Sequence, residues 1–166
     1  MATSLKNLSD QDLEGISLPS GLHVALVVSE WNDEITSGLL EGAMEVLALY
    51  SNHLSVHIHH VPGSFELPMG AQWAFEYQDV NGVICIGNVI RGETAHFDFV
   101  CQATTEGILK VGLAYDRPCI FCVLTDDTIE QSRARSGGEH GNKGTEADAA
   151  LLKMLSLKES LVNPQR

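Results

Sequence analysis

Along the chain, the spacing of apolar residues switches repeatedly between strand-like and helical. Residues 22–28, Leu-His-Val-Ala-Leu-Val-Val, read as a first strand. Asn32 and Asp33 follow, both good N-cap types, and Ile35, Leu39, Ala43, Val46, Leu47 and Tyr50 then recur at helical spacing. Residues 54–61 alternate apolar with polar, which predicts a second strand at a sheet edge. Pro62-Gly63 breaks the chain, and Pro68 suits the first turn of a helix running to about Tyr77. Residues 82–90, Gly-Val-Ile-Cys-Ile-Gly-Asn-Val-Ile, are apolar enough for a central parallel strand covered on both faces. Beyond Arg91-Gly92 the pattern predicts a long helix from about Thr94 to Ala114 and a fourth strand over 119–124. A helix over 128–135 and a last helix from near Asn142 to about Leu157 complete it, with 136–144 a glycine-rich loop between them.

The order βαβαβαβαα, with no internal repeat, implies one parallel sheet with helices on both faces and right-handed crossovers. Such sheets bind ligands beyond the carboxyl ends of their strands. The loops of interest are therefore 29–32, 62–66, 91–96 and 125–128.

The 166 residues suit one domain, expected as a polar N-terminal arm over 1–21 and a folded domain over 22–166. A hydrophobic fraction of 44% against 19% charged excludes a disordered chain, and no apolar run reaches the length of a membrane span. Residues 1–19 are polar and acidic, without a basic segment and apolar stretch of signal-peptide type, so the cytoplasm is the expected compartment. A net charge of −12 argues against nucleic-acid binding but leaves room for small anions bound by a few local cations. Cys85, Cys101, Cys119 and Cys122 are expected to be buried, reduced thiols. Cys119 and Cys122 form a C-x-x-C, but three residues apart on a strand they point to opposite faces. His57, His59 and His60 have no carboxylate or Cys nearby to complete a ligand set, so a surface or subunit-facing role without metal is expected.

The strand-end loops carry specific chemistry. Trp31 at a sheet mouth can stack on a flat heterocycle, with Asn32 beside it to hydrogen-bond. Gly63 and Ser64 offer backbone amides, and Glu66, an acceptor only, would suit a polyhydroxyl chain. Gly92, Glu93 and Thr94 open a helix directly after a buried strand. Free N–H groups, the helix dipole and a hydroxyl make an anion site there. His96 lies within the first turn, close enough to exchange protons with whatever binds. Arg133, Arg135 and Lys143 put three of the ten Lys/Arg within eleven residues; Arg offers a planar fork for phosphate, although Arg133 reads as part of a solvated face.

Trp31-Asn32, then Pro-Gly-Ser-Phe-Glu-Leu-Pro (62–68), then Gly-Asn-Val-Ile-Arg-Gly-Glu-Thr-Ala-His-Phe-Asp-Phe-Val (87–100), then the run 121–144 ending Ser-Gly-Gly-Glu-His-Gly-Asn-Lys-Gly, closely resemble the lumazine synthases of riboflavin biosynthesis, in order and over 22–157. The resemblance implies a flavodoxin-like fold with a four-stranded parallel sheet. It also implies a transferase that condenses 5-amino-6-(D-ribitylamino)uracil with 3,4-dihydroxy-2-butanone 4-phosphate. The products would be 6,7-dimethyl-8-ribityllumazine, phosphate and water, with no metal or organic cofactor.

By the same resemblance, Trp31, Asn32, Ser64, Phe65, Glu66, Asn88, Val89 and Ile90 would hold the pyrimidine, with Glu66 on the ribityl hydroxyls and 88–90 offering backbone groups. Glu93 (through its N–H) and Thr94 would bind the phosphate, and His96 would shuttle protons. Arg135 and Phe121 would reach the site from the next subunit, with Lys143 and Glu146 near the same seam. Ser136 departs from the usual Ala. Pentamers are implied, and the short stretch 136–142 leans towards an icosahedral shell of pentamers, with the N-terminal arm adding a strand to a neighbour's sheet. Other classes remain in view. A flavodoxin-like electron carrier would want a Ser/Thr/Gly-rich loop after the first strand, where this chain has Ser-Glu-Trp-Asn-Asp-Glu. A non-catalytic flavin-binding or shell-forming paralogue would have no use for His96 and Arg135.

Overall fold

The two most continuous apolar runs lie side by side at the centre of the sheet. In the computed structural model, which describes residues 13 and 15–164, β1 (Leu22–Ser29) and β3 (Gly82–Ile90) are flanked by β2 (Leu54–Val61) and β4 (Cys119–Asp126) in the order β2-β1-β3-β4. All pairings are parallel. The fold is therefore the flavodoxin-like α/β arrangement, and the alternating strand, β2, is an edge as its pattern predicts.

Helices cover both faces: α1 (Asp33–Ala48), α2 (Leu67–Gln78), α3 (His96–Tyr115), α4 (Ile129–Arg135) and α5 (Lys143–Val162). Leu26, Ile84 and Ile86 meet Leu39 and Leu47 of α1 and Leu151 and Leu152 of α5 on one face. Ala25, Val27 and Cys85 meet Leu67, Ala71 and Phe75 of α2 and Ile108 of α3 on the other. Each fully buried Leu or Ile contributes about 1.5–3 kcal/mol of transfer free energy, so these two cores hold the sheet ends in place.

Several boundaries shift. α3 begins at His96, two residues later than predicted; β4 runs on to Asp126 and α5 to Val162. The predicted glycine-rich loop folds instead into a ribbon, β5 (Ser136–Gly138) antiparallel to β6 (Gly141–Asn142). Glycine hides its strand period because it has no side chain to alternate. Gly137 at φ +118° and Gly141 at φ +76° supply backbone conformations that other residues rarely adopt. Asn142 then caps α5, its side-chain oxygen accepting from the Gly144 N–H at 2.8 Å. The ribbon and the start of α5 press onto α1: a Cβ on Gly38 would lie 2.5 Å from the Ser136 carbonyl oxygen, and one on Gly144 would collide with the Leu39 carbonyl.

Cys85 and Cys122 are buried, but Cys101 and Cys119 are only half-buried, correcting the expectation of four buried thiols; all four are free. The edge position of β4 leaves Cys119 partly uncovered. Cys119 and Cys122 do pack into opposite cores. Burial pushes the Cys122 thiol up to about 12. A hydrogen bond with Cys119 and burial raise Cys85 well above the usual thiol range. Asp148, on α5, is fully buried with neither carboxylate oxygen hydrogen-bonded among the described residues, and this burial raises its carboxyl to about 9.

Leu18, in the predicted arm, is part of the core against α1 and α5; most of residues 1–14, and with them any strand added to a neighbour, lie outside the described residues. Among the described residues no helix is long and apolar enough to cross a membrane.

Candidate active site

Strand lengths create the site. The β1–β3 ladder ends at Val28↔Ile86, whereas the β3–β4 ladder continues to Ile90↔Asp126. Residues 87–90 are thus paired on one side only. Successive strand residues turn their backbone groups to opposite sides, and the Arg91 N–H reaches the Asp126 carbonyl at 3.0 Å. By that alternation Val89 faces β4, while Asn88 and Ile90 present backbone groups to the open side.

Two loops line this open edge. Asn32 sits in the left-handed region (φ 58°, ψ 50°) and does not cap α1 with its side chain, contrary to its reading as an N-cap. Its Nδ2 donates instead to the Asn88 carbonyl at 3.4 Å. Ser64 Oγ donates to the same carbonyl at 3.3 Å, and Thr104 of α3 holds the Ser64 carbonyl at 3.1 Å. The Asn88 side chain turns inward, donating to Ser132 Oγ at 2.8 Å, and Ser132 donates to Asp126 Oδ2 at 2.8 Å. Its own Oδ1 is buried without a partner. The link from Asn88 to Ser132 has no signal in the sequence, because it joins residues 44 positions apart.

Trp31 is 71% exposed and Phe65 59%, an unusual display of ring surface at one sheet end. A Cβ on Gly63 would lie 3.4 Å from Trp31 Cδ1 and 3.1 Å from Glu66 Oε2, so this glycine lets the indole and the carboxylate approach the same backbone. Phe65 and Glu66 belong to a 3₁₀ turn, Ser64–Glu66, that leads into α2.

The start of α3 exposes backbone N–H groups. Its N-cap residue, Ala95, has no side chain that can cap it, and the backbone N–H groups of Glu93, Thr94 and Ala95 have no partner among the described residues. Thr94 Oγ1 accepts from the His96 N–H at 3.4 Å, so hydroxyl and imidazole belong to one turn, both exposed.

The remaining predicted residues lie elsewhere. Phe121, Arg135, Lys143 and Glu146 line a cleft of about 480 Å³ along the outer edge of β4. Phe121 pairs in register with Cys85, four residues below Val89, or roughly 13 Å at strand rise. It does not reach the ring site of its own chain. Arg135 Nη1 donates to the Gln131 carbonyl at 2.9 Å; Lys143 Nζ and Glu146 Oε1 form a largely buried pair at 2.5 Å. Arg133 makes a bidentate pair with Glu34 at 2.8 and 2.9 Å, the surface role its pattern suggests. His57 stacks on His23 with centroids 5.6 Å apart, and His59 hydrogen-bonds Gln78. Among the described residues no group of three or more His, Cys, Asp or Glu is placed to hold a metal.

Exposed rings, a one-sided backbone and a helix start with free N–H groups thus gather at the carboxyl end of the parallel sheet of a flavodoxin-like α/β protein. Residues 21–159 match the family model described as 6,7-dimethyl-8-ribityllumazine synthase. The chain belongs to that family. It is 50% identical over 165 residues to the 6,7-dimethyl-8-ribityllumazine synthase of Christiangramia forsetii, covering 96% of each chain. It is 50% identical over 160 residues to that of Flavobacterium johnsoniae (96% of this chain, 84% of the relative) and 43% over 150 residues to that of Salinibacter ruber (90% and 96%).

Proposed function

We propose that the protein is a lumazine synthase. It condenses 5-amino-6-(D-ribitylamino)uracil with 3,4-dihydroxy-2-butanone 4-phosphate to give 6,7-dimethyl-8-ribityllumazine, phosphate and water in riboflavin biosynthesis. The observation that carries this reading is the juxtaposition, in a chain of this family, of the open backbone edge at 87–90 with the unpaired start of α3.

The pyrimidine lies along the edge offered by Asn88 and Ile90, with Val89 between them, covered by Trp31 and Phe65. Asn32 and Ser64 hydrogen-bond its polar rim, and Glu66 accepts from the ribityl hydroxyls. The N–H groups of Glu93 and Thr94, with the Thr94 hydroxyl, take the phosphate. The substrate amine is itself the nucleophile, so the protein supplies positions and protons. It adds to the ketone carbonyl and water leaves to give an imine. The hydroxyl-bearing carbon beside it loses a proton, phosphate departs from the terminal carbon, and the resulting enol tautomerises to a new carbonyl. The ribityl-bearing nitrogen closes the ring onto that carbonyl with loss of a second water. His96 carries the protons, a contribution of about 10²–10⁴-fold. Holding both substrates in contact and stabilising the departing phosphate supply the rest.

Phe121 and Arg135 line a cleft on β4, an edge strand, with Phe121 level with Cys85 rather than with residues 87–90, which supports a homo-oligomer in which each subunit completes a neighbour's site. Lys143 and Glu146 lie on that seam. A pentamer is the assembly proposed, with a closed shell of pentamers as its larger form. Small molecules are the only ligands this reading requires. The free thiols fit a reducing compartment, the cytoplasm.

The test is turnover of both substrates, followed by lumazine absorbance, in wild type, His96→Ala and Arg135→Ala. Activity reduced in both variants supports the reading. A folded, assembled wild type that turns nothing over overturns it in favour of a non-catalytic flavin-binding or shell protein.

A further inference from the structure

Arg91 is the first residue beyond β3, and no role above uses its side chain. Its Nε donates to Asp127 Oδ1 at 2.9 Å, its Nη1 lies 3.2 Å from Asp98 Oδ1, and its guanidinium carbon sits 4.1 Å from the centroid of the Phe97 ring. Phe97 and Asp98 lie in the first turn of α3, and Asp127 lies in the turn between β4 and α4. One side chain thus gathers two of the acidic groups around the helix start, Asp98 and Asp127.

That gathering has an electrostatic consequence. An uncapped helix N-terminus attracts anions through its N–H groups and dipole, but a carboxylate in the same turn competes with any phosphate bound there. Asp98 is that carboxylate, and Asp127 shares its counter-ion. A guanidinium bonded to both lowers the negative field that a dianionic phosphate would meet. Arg91 is more than two-fifths exposed, so solvent screens part of this effect and added salt should screen more.

We propose that Arg91 is a positioning residue for the phosphate-bearing substrate, which acts by masking Asp98 and Asp127 at the start of α3. The inference rests on the phosphate reading of that site. It assigns Arg91 no contact with substrate, and it predicts selectivity: the phosphate-bearing substrate feels the mask and the uncharged pyrimidine does not.

Inorganic phosphate titrated calorimetrically into the assembled protein, together with KM for each substrate, tests it. Arg91→Gln should weaken phosphate binding and raise KM for the phosphate-bearing substrate about tenfold at low salt, leave KM for the pyrimidine within about twofold, and lose most of the deficit at high salt. Adding Asp98→Asn and Asp127→Asn to Arg91→Gln should restore phosphate affinity. Asp98→Asn/Asp127→Asn with Arg91 intact should bind phosphate as well as wild type or better. If that double variant binds more weakly, or the triple variant fails to recover, Arg91 acts as a mechanical clamp and the masking inference is overturned. The double variant also decides the matter should Arg91→Gln not assemble. No phosphate binding by wild type, or binding that Thr94→Val leaves intact, removes the phosphate site itself and this inference with it.

Discussion

Gly87 and Ser64 are in contact without room for a side chain between them: a Cβ on Gly87 would lie 2.7 Å from Ser64 Oγ and 2.8 Å from Leu67 Cδ1. The strand that offers backbone groups to the ring and the loop that offers a hydroxyl are thus spaced by a missing methyl group.

Gly87→Ala should therefore push Ser64 away from the Asn88 carbonyl. The expected result is a KM for the pyrimidine substrate raised about tenfold, with phosphate binding little changed and stability lowered by about 1–3 kcal/mol of overpacking. Steady-state kinetics with each substrate varied in turn, beside a denaturant titration, check this. Equal increases in both KM values would show that the whole strand end has moved.

Asp148 gives a pH signature. Its carboxyl, raised by burial to about 9, is protonated in the folded protein and ionised in the unfolded chain above about 4. The folded state therefore holds one more proton between these values. Its contribution is fully present below about pH 4 and is lost as the pH rises towards 9, a cost on the order of several kcal/mol at neutral pH. Asp148→Asn removes the titration. Melting temperatures from pH 5 to 8 should fall more steeply in wild type than in the variant, which should be the more stable at pH 8. Parallel curves would mean that the carboxylate finds water or a counter-ion.

Arg133 and Arg135 are neighbours in sequence with opposite expectations. Arg133 is committed to Glu34, an exposed pair. Arg133→Ala and Glu34→Ala should each shift the melting temperature slightly and leave both KM values alone. Arg135→Ala should raise KM for the phosphate-bearing substrate and lower kcat. A loss of phosphate affinity in Arg133→Ala would reassign the phosphate contact to it.

Gly144→Ala tests the seam between α5 and α1. A Cβ there runs into the Leu39 carbonyl and lies 2.9 Å from Asn142 Oδ1, the cap of α5. Backbone on one side and a cap on the other leave little to yield, so a destabilisation of about 2–4 kcal/mol is expected from a urea titration. A smaller cost would show that α5 slides.

The strands were the most legible part of the chain, because burial on one or both faces writes itself into every residue: β2 and β3 begin and end where the pattern put them. The β5–β6 ribbon was not, since its glycines carry no period. Nor was Asp148, a polar residue inside an apolar helix face. Of the site, Trp31, Asn32, Ser64, Phe65 and Glu66 sit on the predicted strand-end loops, and Asn88, Val89 and Ile90 end the predicted third strand. The side-chain links from Asn88 through Ser132 to Asp126, and from Arg91 to Asp98 and Asp127, depend on which loops the fold brings together, which spacing does not encode. Asn32 looked like a cap because capping and reaching across a strand end ask for the same amide.

The bare flank of α1 sets how freely this chain can vary. A Cβ on Gly38 would meet the Ser136 carbonyl, one on Gly42 the Asn142 side chain, and one on Gly144 the Leu39 carbonyl. Together these contacts fix where the ribbon lies and where the last turn of α4, which bears Arg135, meets it. At Gly38 and Gly144 a side chain would run into backbone, and at Gly42 into the amide of Asn142 that caps α5, so substitution costs packing although none of these positions touches a substrate. A library that randomised all three would discard most of its members before any chemistry was assayed. One that spared them and varied Trp31 and Phe65, both open to solvent, would sample ring preference on an intact frame.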